Sequence, residues 1–202
     1  MKKKIKKTVS ALELRRQSFH IFIGTTLGLL FFFGFVSSGH LVLLFCVLFI
    51  VFLLYRRVYV PLAHDMVDLM ERREDIQRFP GRGALFLVLG ILFSTILFSR
   101  PVAVAAILVL SWGDGVAPIV GPFGSHAYLF NKKKMWEGIL AGIVAGTLAT
   151  SFFVPFWQAF VAATAAMLVE GLNLRVKGWK VDDNVTVPLI SGLLLTFLSF
   201  FT

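Results

Sequence analysis

Residues 19–36 read FHIFIGTTLGLLFFFGFV, and after two serines residues 39–55 read GHLVLLFCVLFIVFLLY. Each run has the length and composition of a helix that crosses the hydrocarbon core of a membrane, which takes roughly 17–25 mostly apolar residues. Five further runs of the same kind follow along the chain, at 83–99, 101–120, 138–154, 157–172 and 185–201. The pattern predicts an all-α, polytopic transmembrane bundle of about seven spanning helices.

The composition supports this class and excludes two others. Of the 202 residues, 57% are hydrophobic and only 15% are charged, whereas soluble domains are roughly 45–50% apolar and about 25% charged. A soluble globular protein and a disordered chain are therefore excluded. The one cysteine, Cys46, lies inside an apolar run, so neither a disulfide framework nor a cysteine metal site is predicted.

The basic residues are sorted between the two sides of the predicted bundle. Nineteen of the 20 Lys and Arg lie in four polar segments, 1–18, 56–82, 121–137 and 173–184, and only Arg100 lies elsewhere. Since basic residues in short loops stay in the cytoplasm, the N-terminus and these four segments are predicted to be cytoplasmic. Membrane topology and contact with lipid headgroups therefore explain the net charge of +9, and no nucleic acid partner is predicted.

The whole chain, residues 1–202, is interpreted as one integral membrane domain. Residues 1–18 form its basic cytoplasmic N-terminus, and the 56–82 segment carries an interfacial helix from Pro61 to Phe79, where apolar residues recur at helical spacing. The loops on the other side are too short to build a site, so any site is expected at the cytoplasmic face. A short chain without a transit peptide favours a prokaryotic cell membrane.

The first of four polar groups at helix ends precedes the first apolar run. Its members are spaced i, i+3, i+4 and i+7 and so share one helical face: Glu13, Arg16, Gln17 and His20. A guanidinium beside an imidazole at a membrane surface suits a phosphate. The alternative is a topology-setting basic anchor with an unrelated histidine.

The second group surrounds Asp114 in the fourth apolar run. Gly113 and Gly115 free the backbone on both sides of this carboxylate, which predicts a break in the helix and the close approach of a ligand. A lone carboxylate at a broken helix end suits a divalent cation, or a nucleotide phosphate bridged by one. The alternative is a kink at which Asp114 pairs with a basic residue.

The third group precedes the fifth apolar run. Lys132, Lys133 and Lys134 come before a helix N-terminus, whose N–H groups add positive potential, and this arrangement suits a polyphosphate. For most of these lysines a topology-setting role is the alternative. Glu137 is expected to be an acidic residue of the first helical turn in either case.

The fourth group is split between the end of the sixth apolar run, at Glu170, and the start of the seventh, at Asp182, Asp183 and Asn184. Several oxygen ligands close together are typical of a hard-cation site, with Mg²⁺ favoured and phosphates as co-ligands. Helix capping is the alternative, although one cap accounts for only one of these residues.

Two further patterns bear on the site. Gly138, Gly142 and Gly146 repeat every four residues, which indicates close helix packing, either inside the bundle or against a second copy in a homodimer. The phosphate-binding loop, the dinucleotide fingerprint, the zinc-protease motif and the serine nucleophile elbow are missing from the sequence. A bound nucleotide is therefore expected to be held by something other than the familiar soluble folds.

The four polar groups, in this order, resemble the CTP-dependent polyprenol kinase family, which includes dolichol kinase and phytol kinase. The resemblance rests on four segments that together span residues 13–192: ELRRQSFHIFIG, GDGVAPIVGPFG, KKKMWEGILAG and VEGLNLRVKGWKVDDNVTVPLISG. The last segment looks most like phytol kinase and its prokaryotic relatives. Yeast-type diacylglycerol kinase and, more distantly, phosphatidate cytidylyltransferase are similar to this family.

The resemblance implies transfer of the γ-phosphate of CTP to the hydroxyl of a membrane lipid alcohol, such as phytol, geranylgeraniol or a polyprenol. The Mg²⁺ ion and the phosphates it bridges are expected at Asp114, Asp182 and Asp183. The nucleotide is expected at Arg16, Gly113, Gly115, Lys134, Glu137 and Asn184. Catalytic roles are expected for Asp114, Asp183, His20 and Glu170, and either of the last two accepts the proton of the alcohol.

Other function classes remain as alternatives. A phosphatidate cytidylyltransferase-like or diacylglycerol kinase activity would use related segments. A transporter would bury ionisable residues near the bilayer midplane, often in an internal repeat, and neither feature is visible. A non-enzymatic membrane adaptor would leave the acidic residues of the second and fourth groups without a purpose.

Overall fold

The computed structural model describes residues 8–172, 175–176 and 179–201, and it is mostly helical. The first half of the chain forms five α-helices: α1 (Ala11–Phe32), α2 (Ser38–Leu54), α3 (Pro61–Met70), α4 (Arg73–Arg78) and α5 (Arg82–Leu97). The next segment is one long helical rod, made of α6 (Arg100–Leu108), a π-helical turn (Val109–Asp114), α7 (Gly115–Val120) and a 3₁₀ turn (Gly121–Phe123).

The second half alternates short hairpins with long helices. Strands β1 (Ala127–Tyr128) and β2 (Asn131–Met135) pair antiparallel and lead into α8 (Trp136–Thr150), which is followed by α9 (Phe156–Leu172). Strands β3 (Arg175–Val176) and β4 (Trp179–Lys180) pair antiparallel before α10 (Asp183–Leu198) and a final 3₁₀ turn (Ser199–Phe201). The prediction of an all-α chain is therefore confirmed for the bundle, but it missed these two small hairpins.

The 56–82 segment differs from the predicted single interfacial helix. The helix ends at Met70, and a second short helix begins at Arg73, because Glu71 has an extended backbone with φ −107° and ψ 153°. The Glu71 carboxylate accepts a hydrogen bond from the Gly81 N–H at 3.0 Å. This bond ties the break in the helix to the turn that precedes α5.

Contacts between helix ends show that the seven long helical segments alternate in direction. At one end, ion pairs join Glu13 to Arg72, Arg82 to Asp182 and Lys134 to Glu170. At the other end, the Ser38 hydroxyl donates to the Thr95 carbonyl, the Gln158 amide donates to the Leu198 carbonyl, and Arg100 lies over Phe31. The first three pairs draw on all four polar segments, so those segments gather at one end of the bundle, here called the polar end.

The rod of α6 and the π-helical turn is the centre of the bundle. Its side chains from Val102 to Ser111 are all buried, and α1, α5, α8 and α10 pack around it. Large apolar side chains also cover the outside, where five examples are each more than half exposed: Phe22, Leu43, Phe152, Leu193 and Phe200. An outer surface this apolar is suited to lipid rather than to water.

Two helices in the part of the chain that the structure describes are long and apolar enough to cross a membrane, by length and composition alone: 100–123 and 183–201. Four apolar helices are shorter, at 38–54, 82–97, 136–150 and 156–172. The count of seven crossings therefore stays a prediction.

The glycine stripe of α8 faces the inside of the bundle. Gly138 lies against Gly121, and Gly142 lies against Gly113 and Met167, at distances that leave little room for a side chain. Gly146 is buried against Ala163 and Gly113 at ordinary contact distances. Internal packing, one of the two predicted alternatives, therefore uses this face, and a homodimer stays a prediction.

Candidate active site

The start of α1 is organised around Glu13 at the polar end. Its carboxylate accepts hydrogen bonds from Arg16 at 2.9 Å, from Gln17 at 2.7 Å and from Arg72 at 2.7 Å. Burial raises the pKa of Glu13, but the hydrogen bonds from Gln17 and Arg72 outweigh it and leave the pKa lowered. Glu13 is thus a carboxylate at neutral pH that holds Arg16 in place, and the shared helical face predicted for this group is confirmed.

His20 lies one turn deeper in α1, against the π-helical turn. Its Nε2 atom is 3.3 Å from the Leu110 carbonyl oxygen and 3.9 Å from Oδ2 of Asp114. The imidazole of the first polar group therefore meets the carboxylate of the second, which sequence spacing alone does not require.

The helix around Asp114 does not break as predicted. It continues through a π-helical turn into α7, and Gly115 has ordinary helical angles of φ −70° and ψ −39°. Gly113 is packed against Met167 and Gly142, and Gly115 is packed against Ile21 of α1. The two glycines let neighbouring helices approach the turn; their contact with a nucleotide stays a prediction. Wide turns of this kind are frequent at functional sites.

Asp114 is the centre of a cluster drawn from four elements. Its side chain is only 16% exposed. His20 and Arg16 of α1, Lys134 of β2 and Asp183 of α10 are all close enough to interact electrostatically with it. Five of the residues predicted for the site are thereby brought together, and we refer to them as the Asp114 cluster.

Lys134 is held by a buried carboxylate. Its ammonium group forms an ion pair with Glu170 at the end of α9, and Glu170 is 2% exposed. A buried carboxylate is costly unless it is paired, so this contact stabilises both groups and fixes the lysine beside the cluster. The geometry gives Glu170 a positioning role toward Lys134.

Asp182 and Asn184 begin α10, and capping accounts for Asp182. Its side chain accepts hydrogen bonds from the Asn184 N–H at 3.3 Å and from Asn184 Nδ2 at 2.9 Å, and it pairs with Arg82 at 3.2 Å. The Asn184 Oδ1 atom is buried and accepts no hydrogen bond from the residues that the structure describes. Arg82 is a partner that no local sequence pattern predicts, because it lies 100 residues from Asp182.

Glu137 fixes the loop that leads into the β1–β2 hairpin. Its carboxylate accepts hydrogen bonds from the Ser125 N–H at 2.8 Å, from the His126 N–H at 3.2 Å and from His126 Nδ1 at 2.9 Å. The bond from the Ser125 N–H is the main cause that lowers the pKa of Glu137 to about 2. Glu137 is thus a permanent anion that anchors the hairpin carrying Lys134, and His126 is a partner that the sequence did not reveal.

A hard cation such as Mg²⁺ would bind at the Asp114 cluster through side-chain oxygen atoms. Within 8–172, 175–176 and 179–201, no three His, Cys, Asp or Glu side chains are already placed as a metal cluster. Asp114 and Asp183 nevertheless interact electrostatically as like charges, and Asn184, the next residue after Asp183, has a buried Oδ1 with no donor among the described residues. Two carboxylates and an amide oxygen are the ligand types that Mg²⁺ takes together with phosphate oxygens.

The chain is similar to several curated proteins. The probable phytol kinase 2, chloroplastic, of Oryza sativa subsp. japonica is 32% identical over 208 aligned residues, which cover 93% of this chain and 67% of that protein. The probable phytol kinase 2, chloroplastic, of Glycine max is 33% identical over 137 residues, covering 59% of this chain and 46% of that protein. The farnesol kinase, chloroplastic, of Arabidopsis thaliana is 33% identical over 129 residues, covering 55% and 41%.

These matches differ in extent. The chain spans less than half of the length of the Glycine max and Arabidopsis thaliana proteins, but two thirds of the Oryza sativa protein. No family model matches the chain, and no solved structure matches it.

Proposed function

The chain belongs to the isoprenoid alcohol kinase family, and from this premise we propose that it transfers the γ-phosphate of CTP to the hydroxyl of an isoprenoid alcohol. The observation that carries the proposal is the Asp114 cluster, in which His20 lies 3.9 Å from a nearly buried carboxylate and Arg16, Lys134 and Asp183 are close enough to interact electrostatically with it. The names of the phytol kinase and farnesol kinase relatives supply the class of acceptor. CTP as the donor follows from the resemblance of the four sequence segments.

In this proposal the seven long helical segments cross a cell membrane, with the polar end in the cytoplasm. Nineteen of the 20 basic residues belong by sequence to the four polar segments, whose described residues gather there, and this agrees with the retention of basic residues on the cytoplasmic side. A lipid alcohol lies with its hydroxyl at the membrane surface, and a soluble nucleotide reaches the same surface from the cytoplasm. The polar end is where the two substrates meet.

Phosphoryl transfer depends on positioning and charge neutralisation more than on covalent chemistry by the protein. Lys134 and Arg16 neutralise the charge on the transferred phosphoryl group, and Glu170 holds Lys134 in place. Asp114 and Asp183 would hold Mg²⁺ with the amide oxygen of Asn184, which Asp182 orients. When bound, Mg²⁺ supplies positive charge to the phosphate oxygens.

The reaction forms one bond to phosphorus and breaks one, and it moves one proton. The hydroxyl oxygen of the alcohol bonds to the γ-phosphorus, the bond from that phosphorus to the β–γ bridging oxygen breaks, and CDP leaves with the electron pair. The hydroxyl proton passes to His20. We choose His20 over Glu170 because the Glu170 carboxylate is already paired with an ammonium group, whereas the neighbours of His20 are a carbonyl and a carboxylate.

The proposal is tested with the purified protein in lipid, supplied with Mg²⁺ and with either CTP or ATP labelled at the γ-phosphate. The acceptors are phytol, farnesol, geranylgeraniol and diacylglycerol, each offered separately. We expect label to move from CTP to an isoprenoid alcohol. Release of pyrophosphate with a CDP-lipid product, or transfer only to diacylglycerol, would overturn the proposal.

A further inference from the structure

The break between α3 and α4 turns two neighbouring side chains to opposite sides. Glu71 has φ −107° and ψ 153°, and Arg72 has φ −76° and ψ 143°, so both residues are extended between the two helices. Successive side chains of an extended chain point to opposite sides, whereas in a continuous helix they lie only about 100° apart around the axis. The break therefore lets one dipeptide contact two different elements of the bundle.

The first of these side chains fixes the break to the start of α5. The Glu71 carboxylate accepts a hydrogen bond from the Gly81 N–H at 3.0 Å, at the turn before that helix. Val67, four residues earlier in α3, is buried in one apolar cluster with Phe52 and Leu85. A hydrogen bond and a buried apolar contact together hold this part of the polar end, so Arg72 is presented from a fixed position.

The second side chain, that of Arg72, contacts α1. Its Nη2 atom donates to Oε2 of Glu13 at 2.7 Å, and Nη2 of Arg16 donates to Oε1 of the same carboxylate at 2.9 Å. An ion pair on an exposed surface contributes little, but the Glu13 side chain is only 12% exposed. Two guanidinium groups therefore share one shielded carboxylate, and one of the two belongs to the Asp114 cluster.

This sharing changes the charge that Arg16 offers to a ligand. Two positive charges and one negative leave a net +1 for Glu13 with both arginines, whereas Glu13 with Arg16 alone would be a neutral pair. Arg16 also interacts electrostatically with Glu71 and Asp114, so its surroundings are rich in carboxylates. A second guanidinium on Glu13 keeps these surroundings attractive to a phosphate.

The contact with Glu13 also leaves Arg16 able to bind a ligand. Arg16 uses its Nη2 atom for this contact, and a guanidinium carries five N–H donors in a planar fork. The carboxylate thus orients the fork, and other donors of the same group can reach phosphate oxygens. Bidentate binding of phosphate by arginine depends on such an orientation.

We propose that Arg72 is a positioning residue for the nucleotide: by sharing the Glu13 carboxylate, it orients Arg16 and leaves the charge of that guanidinium available to a nucleotide phosphate. The inference rests on the proposed function, in which Arg16 neutralises the charge on the transferred phosphoryl group. It gives the break in the 56–82 segment a purpose, because the break lets Arg72 reach α1 while Glu71 is held at the turn before α5.

The test is the binding of labelled CTP, with Mg²⁺, to the full chain in lipid vesicles. We expect Arg72→Ala to raise the Kd for CTP about tenfold with an unchanged Tm, because residues in one ion-pair network are energetically coupled. Arg72→Lys keeps the charge and should recover most of the affinity. Arg73→Ala removes the same charge from the next residue, which is also exposed, and should bind CTP like the wild type.

A double-mutant cycle shows whether Arg72 acts through Arg16. In an Arg16→Ala background, Arg72→Ala should change the Kd by less than about twofold, because the group through which it acts is already gone. A residue that only supports the fold would cost as much in this background as in the wild type.

The outcomes separate this inference from the proposed function. An equal Kd for Arg72→Ala and Arg73→Ala, no recovery in Arg72→Lys, or an undiminished effect in the Arg16→Ala background would overturn the positioning role, even if phosphoryl transfer is observed. Coupling of Arg72 to Arg16 in a protein that binds CTP but phosphorylates no alcohol would uphold the positioning role and overturn the kinase proposal. A wild-type protein that binds no CTP would contradict both.

Discussion

Among single residues, His20 and Glu170 are the two candidates for the group that accepts the proton of the alcohol. We assign that role to His20, and the positioning of Lys134 to Glu170. Glu170 is buried and ion-paired with Lys134, and His20 lies beside the Leu110 carbonyl and Asp114. The sequence places both residues at helix ends but says nothing about which neighbour each one meets. That information comes only from the approach of α9 to β2 and of α1 to the π-helical turn.

These positions predict different consequences for two conservative substitutions. His20→Gln removes the proposed proton acceptor and should lower kcat by about 10²–10⁴-fold, with loss of the acid limb of the rate–pH profile. Glu170→Gln weakens the hold on Lys134 and should lower kcat/KM while the acid limb remains. The two profiles are measured with the best isoprenoid acceptor, and an acid limb lost in Glu170→Gln but kept in His20→Gln would reverse the assignment.

Asp114 shows how much of the site a sequence reveals. Its carboxylate in an apolar run marks a functional position because ionisable groups there are costly, and the structure gathers other predicted residues around it. Arg82 and Arg72 were not predicted, since each meets its carboxylate partner across a separation of 100 or 59 residues. Pairings at such range depend on how helices pack, and one sequence does not encode them in a local pattern.

At the scale of elements, the π-helical turn replaces the break that Gly113 and Gly115 suggested. Glycine inside a helix costs only about 1 kcal/mol relative to alanine, and the rod on either side of the turn is stabilised by burial. The helix therefore continues, and the glycines serve to bring α1 and α8 close. The two glycines mark a special position in the sequence, but tertiary packing decides its backbone form.

The close approach at α8 predicts that Gly142→Ala destabilises the protein despite the higher helix propensity of alanine. A methyl group there would lie 2.7 Å from the Gly113 carbonyl oxygen and from the Met167 methyl carbon. Overpacking of this kind costs about 1–3 kcal/mol, which should lower the Tm by several degrees. Gly39→Ala in α2, where a methyl group would make only an ordinary contact with Ser37, is the control, and an equal Tm for the two variants would contradict the packing role.

The anchor of the β1–β2 hairpin gives a second prediction at this scale. Glu137→Ala removes the acceptor of three hydrogen bonds from Ser125 and His126. The hairpin then holds Lys134 less firmly, and we expect kcat/KM for the nucleotide to fall about tenfold while the fold is retained. Glu74→Ala, at an exposed position in α4, should leave kcat/KM unchanged. A similar loss of kcat/KM in both variants would contradict the anchoring of the hairpin by Glu137.

At the scale of the whole molecule, the charge pattern and the bundle agree. The sequence alone groups the four basic segments; ion pairs join three of them to one another, and Lys134 of the remaining segment pairs with Glu170 at the end of α9. This agreement follows from strict alternation of long helices, which sorts every second connection to the same side. The hairpins escaped prediction because they are short and lie in segments whose composition is that of loops.

The topology predicts which positions a membrane-impermeant thiol reagent reaches. In a Cys46→Ser background, Arg57→Cys and Lys133→Cys should react only from the cytoplasmic side of sealed cells or inverted vesicles. Ser99→Cys and Phe156→Cys should react only from the opposite side. Labelling of all four positions from one side would contradict alternating crossings.

If the Asp114 cluster performs phosphoryl transfer to an isoprenoid alcohol, Asp114→Asn should abolish that transfer. The measurement is the rate of label transfer from γ-labelled CTP to the alcohol, with Asp65→Asn, an exposed position in α3, as the matched control. We predict a loss of about 10²–10³-fold or more in Asp114→Asn, with an unchanged Tm, and full activity in Asp65→Asn. Transfer at the wild-type rate by a folded Asp114→Asn protein would contradict the account.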